Sequence, residues 1–85
     1  MSAPTPTELR ATLVTLLAGA TETKTAKWEK LIGPVETLPI VFNPRSNWRV
    51  EVLGRSATDR EVIDKAIELL RGEHPYVTAE RSPGA

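Results

Sequence analysis

Between residues 38 and 72 the hydrophobic period of this chain changes from two to 3.6, and that change does most to limit the fold. LPIVF alternates, NPRSN follows with turn formers, and WRVEVLG alternates again before TDREVIDKAIELLRG brings apolar residues at helical spacing. Alternation on both sides of a turn-rich segment predicts a β-hairpin, and the longer period after it predicts an amphipathic helix. Such a chain is a folded α+β domain and not a tail or a linker.

Within the hairpin, Leu38, Ile40 and Phe42 are expected to point one way. Trp48, Val50 and Val52 face the same side from the returning strand, with Arg49 and Glu51 outward. Pro39 cannot donate to a ladder, so the first strand is expected at an edge. The connection 43–47 is longer than a tight turn and should protrude. In the final helix Val62, Ile63, Ala66, Ile67, Leu69 and Leu70 occupy an arc of about 160°. Thr58 and Glu61 read as its capping box, Asp59 adds negative charge at the positive end, and Arg71-Gly72 with Pro75 ends it. Residues 76–80 are a candidate third strand.

Upstream, Thr5, Pro6 and Glu8 form the start signal of a first helix, and Leu9, Leu13, Leu16, Leu17 and Ala20 follow one buried face. Gly19 is the expected terminator, with the helix running a residue or two past it. Threonines alternate with charge over 21–25, and a short helix is expected over 26–32 before Gly33-Pro34. A single bent helix over 6–32 is the alternative, which the threonines disfavour. The expected order is therefore α-α-β-β-α, with the hairpin packed on helices in one domain over 5–80 and flexible tails at 1–4 and 81–85. Its expected core comprises Leu13, Leu17, Trp28, Leu31, Ile40, Phe42, Val50, Val52, Ile63, Ile67 and Leu70.

Eighty-five residues leave room for one core, and without cysteine neither a disulfide nor a thiolate metal site can staple it. Small unstapled domains gain stability from tight packing or from association, so a protein partner or a homodimer is expected. Eleven basic residues balance eleven acidic ones, which argues against a generic polyanion binder. No apolar run approaches the roughly 18–20 residues of a membrane span, so no membrane partner is expected. Ahead of the apolar stretch 11–20 Glu8 sits where the basic region of a leader belongs, and Thr12 and Thr15 interrupt the stretch. A cytoplasmic location follows as the expectation.

Chemistry concentrates around the expected turn, where Arg45, Trp48 and Arg49 lie close in sequence. Arginine forks hold phosphates or carboxylates, and tryptophan stacks on a base or anchors a protein contact. The alternation equally puts Trp48 on the core face, leaving the arginines to solvate a turn, and that reading is preferred. Residues 24–55 hold Lys24, Lys27, Lys30, Arg45, Arg49 and Arg55 against Glu29, Glu36 and Glu51. A winged-helix-like arrangement would set Lys24 and Lys27 of the helix 24–32 on a nucleic-acid backbone and the 43–49 loop in a groove. The neutral charge and a missing third helix before the hairpin weigh against it.

No catalytic constellation is legible. His74 is the single histidine, the serines lie in tails or turns, and the glycines are scattered, so no metal, no cofactor and no enzymatic activity are expected. The expected function is a small non-enzymatic binding module, regulatory or accessory, acting through protein–protein contacts. Its binding residues would be Arg45, Trp48, Arg49, Lys24 and Lys27, and nucleic-acid binding is the alternative.

Overall fold

Thr5 sets the start of the first helix. Its Oγ1 accepts from the Glu8 amide at 3.2 Å, while the Glu8 carboxylate accepts from the Thr5 amide at 3.0 Å. Pro6 then occupies the first helical position, where an amide hydrogen would have no partner. The computed structural model describes residues 3–78, in the order α1 (Pro6–Thr21), α2 (Thr25–Leu31), β1 (Ile32–Thr37), β2 (Trp48–Val52) and α3 (Ala57–Glu73). This is the α+β order α-α-β-β-α, with a two-stranded antiparallel hairpin packed against helices.

Two helices, not one bent one, cover the first third. α1 runs past Gly19 and ends at Glu22, whose φ of 54° reverses the chain while its amide donates to the Ala18 carbonyl. α1 touches both other helices and β1, so its buried arc is wide: Leu9, Leu13, Val14, Leu17 and Ala18 are buried, while Ala20 is exposed. Arg10 ties α1 to the end of α2, its Nη2 donating to the carbonyls of Glu29 and Ile32 at 2.9 Å each. These carbonyls lack partners within a short helix, so the guanidinium serves as a C-cap supplied from a neighbouring helix.

The first strand is not where alternation placed it. β1 uses IGPVET directly after α2, and the LPIVF segment expected as strand belongs to the connection 38–47. Pairing sets Thr37 opposite Trp48, Val35 opposite Val50 and Ile32 opposite Val52, with an irregularity between Ile32 and Val35. That irregularity accommodates Pro34, which has no amide to give to a ladder. Gly33 suits this close approach, since a Cβ would lie 3.1 Å from both the Cβ and the carbonyl oxygen of Glu51 and would press the strands apart by a few tenths of an ångström. Gly33-Pro34, read as punctuation after a helix, is thus also the entry to a strand. Ile40 and Phe42, expected in the core, are exposed, and Ile32, Val35 and Trp48 bury in their place.

Ser56 and not Thr58 caps α3: its Oγ accepts from the Asp59 amide at 3.3 Å, and its carbonyl accepts from Arg60 at 3.0 Å. Thr58 lies inside the helix, which begins at Ala57. The buried face is Ile63, Ala66, Ile67 and Leu70, an arc of about 100°. Val62, partly buried, and exposed Leu69 fall at its margin.

Both tryptophans lie in the core with their indole N–H groups satisfied. Trp28 donates to Thr23 Oγ1 and Trp48 to the His74 carbonyl, each at 2.8 Å. Residues 76–78 form no strand; residues 79–80 of the candidate third strand and the expected tail 81–85 lie outside the described residues. The segment after α3 is nevertheless tied down, with Thr78 donating to the Pro4 carbonyl at 2.9 Å and Val77 buried. Among the described residues no helix is long and apolar enough to cross a membrane.

Candidate functional site

The connection 38–47 projects apolar side chains while its own backbone is pinned. At its near end the Leu38 amide donates to the Asn47 carbonyl at 2.6 Å, one bond beyond the strand pairing. At its tip Phe42 donates to the Pro39 carbonyl and Asn43 to the Ile40 carbonyl, both at 3.1 Å, forming overlapping turns. Asn43 Nδ2 returns to the Pro39 carbonyl at 2.9 Å. At the far end the Tyr76 hydroxyl donates to the Pro44 carbonyl, and Ser46 Oγ accepts from Arg71 Nε at 3.1 Å.

Asn47 is the anchor of the whole connection. Its side chain reproduces the two bonds a backbone residue would make: Oδ1 accepts from the Val77 amide at 2.7 Å and Nδ2 donates to the Val77 carbonyl at 3.0 Å. Its own amide donates to the Pro75 carbonyl at 3.1 Å. A buried amide side chain thus joins the hairpin to the chain after α3. The consequence is a tip on which Ile40, Val41 and Phe42 are 55%, 78% and 80% exposed in succession.

The residues singled out from sequence divide between several settings. Trp48 is 1% exposed beneath Arg71, whose guanidinium lies 4.7 Å from the ring centroid, so its face is not open to a ligand. Arg49 stands on the outer face of the hairpin, paired with cross-strand Glu36 at 2.7 Å. Lys27 reaches Asp59 in the first turn of α3 at 3.5 Å and covers the Trp28 ring. Lys24 is exposed at the start of α2. Arg45 is exposed beside the apolar tip and has no partner among the described residues. Of the five, Arg45 alone belongs to the projecting part of the connection. His74 caps α3 through its backbone, and among the described residues no three histidine, cysteine or acidic side chains gather as a metal ion would need.

Alternation assigns Ile40 and Phe42 to the core, which hides the exposed position of the tip 40–42. The signal that could have shown it is the pair of prolines, Pro39 and Pro44, bracketing the apolar run in a segment that must pair on at least one side to be a strand. No protein-family model matches the chain, and neither a curated protein nor a solved structure is recognisably similar to it.

Proposed function

We propose that this protein is a small non-enzymatic binding module, a regulatory or accessory factor of the cytoplasm, that docks on a protein partner through residues 40–45. The supporting observation is the succession of three exposed apolar side chains on a connection whose backbone is hydrogen-bonded at its base, tip and far end. Burying those three side chains in a partner would contribute about 3–6 kcal/mol before the costs of association. The ordered turns lower those costs, since little backbone freedom is lost on binding. Arg45 supplies a charged contact at the rim, so the complementary partner surface is an apolar pocket bordered by carboxylates.

Two copies meeting tip to tip fit less well. Three side chains on each copy provide far less than the roughly 1,200 Å² that a stable interface buries. A protruding tip calls for a concave receiver that surrounds it.

The test places a photo-crosslinking amino acid at Val41 in the full chain, inside the cells that produce it. A control carries the same group at Glu68, an exposed position on α3. The reading expects discrete protein adducts at position 41 only, displaced by excess unlabelled protein but not by its Phe42→Ser variant. Adducts equal at both positions, or displaced equally by Phe42→Ser, would refute docking by the tip. Salt-sensitive binding of mixed-sequence DNA or RNA, lost in Arg45→Ala and Arg49→Ala, would replace it with the nucleic-acid reading.

A further inference from the structure

On another side of the molecule, α1, α2 and β1 enclose a groove of about 510 Å³, within the range of small-ligand sites. Buried Val14 and Val35 form its apolar floor, and Arg10 and Glu29 both line it. Arg10 is half-buried and, among the described residues, uses only Nη2, on the two carbonyls at the end of α2. Among the described residues no carboxylate comes within ion-pair distance of it. Glu29 likewise pairs with no cation there, although both residues line the same groove. Residues of opposite charge lining one cleft with no ion pair between them, above an apolar floor, are complementary to a molecule carrying both charges and a short apolar body.

We infer that this groove binds a small zwitterion of the amino-acid class, independently of the docking tip. The ligand carboxylate takes the unused N–H groups of Arg10, its ammonium faces Glu29, and its side chain covers Val14 and Val35. The Arg10 contact dominates, because a planar guanidinium already held by two carbonyls presents its remaining donors in a fixed orientation and is partly shielded from solvent. Glu29 is exposed, so its contact with the ammonium is the weaker one.

The experiment is an amide NMR titration of the intact protein with L-valine, N-acetyl-valine and valinamide, each to tens of millimolar. Valine is expected to give saturable shifts confined to the residues around the groove. Valinamide, which lacks the carboxylate, should bind at least about tenfold more weakly. N-acetyl-valine, which lacks the ammonium, should lose about three- to fivefold. Arg10 also caps α2, so the deciding variant is Glu29→Gln, a surface change that leaves the fold alone. It should weaken valine by the same three- to fivefold, about the worth of one exposed ion pair, and leave N-acetyl-valine unchanged. Absence of saturable shifts with valine, equal binding of all three compounds, or equal weakening of valine and N-acetyl-valine by Glu29→Gln would overturn the assignment.

Discussion

Replacing Asn47 by alanine removes both side-chain bonds to Val77 and leaves a buried amide and a buried carbonyl without partners. Each orphaned buried group costs about 1–3 kcal/mol. Thr78 and Tyr76 on either side are exposed, so water reaches part of the site and holds the total to about 2–4 kcal/mol. Domains have only about 5–15 kcal/mol in hand, and small ones sit low in that range, so this single amide secures a large share of the stability. The expected fall in Tm is about 10–30 °C, at 4–8 °C per kcal/mol for a chain of this length.

Urea unfolding followed by tryptophan fluorescence measures this directly, because Trp48 is adjacent to the substituted residue. The midpoint should drop with the slope unchanged, since the area exposed on unfolding is nearly the same. Hydrogen exchange supplies the local check: the Val77 amide should lose protection well before the amides of α1. A loss below about 0.5 kcal/mol, within the scatter of neutral surface substitutions, would refute the reasoning. Asn47 would then be a bystander, and the segment after α3 would be held by Tyr76 and Thr78 instead.

Three further outcomes are expected from substitutions elsewhere. Glu22→Gly should raise stability by about 0.5–1 kcal/mol in thermal melts, because a glycine adopts the φ of 54° without the crowding that a Cβ brings. Ser56→Ala should cost about 1 kcal/mol while Thr58→Ala stays within about 0.5 kcal/mol, a contrast that chemical denaturation resolves and that would reverse if Thr58 were the cap. Phe42→Ser should leave the melting curve within about 0.5 kcal/mol of the parent, since an 80% exposed side chain contributes little packing; a large loss would mean that the tip is folded inward.

The helices were legible in the sequence because their signals are local. Thr5, Pro6 and Glu8 act within one turn, and the repeats in α1 and α3 lie on contiguous stretches. The start of α3 was displaced by two residues because Ser56 and Thr58 each precede an acidic residue by three. Ser56 has the advantage of adding two more residues to the helix. Strand β1 was not legible, since Gly33-Pro34 breaks its alternation and the residues that justify it are distant. Glu51 crowds the position of Gly33, and Val50 and Val52 complete the inner face of β1. The candidate site was legible in part. The connection 43–47 is expected to protrude, and Pro44 and Arg45 are exposed, but Asn47 at its end is buried and the exposed apolar tip lies at 40–42, where alternation places Ile40 and Phe42 in the core.

That reassignment changes what the segment LPIVF contributes. As a strand, it would explain its own apolar residues through burial and leave the turn with only arginines to offer. As a connection, it keeps three large apolar side chains in water, an arrangement that a marginally stable small domain has no folding reason to maintain. Packing them on the hairpin or on α3 would gain about 3–6 kcal/mol. The fold opposes that gain with specific bonds: Asn43 closes the tip on Pro39, Tyr76 holds Pro44, and Asn47 fastens the base to Val77. Each bond keeps the tip away from the core, and none depends on the identity of the side chains it displays. The scaffold and the displayed residues are therefore separable, so substitutions at Ile40, Val41 and Phe42 should alter recognition without altering the fold.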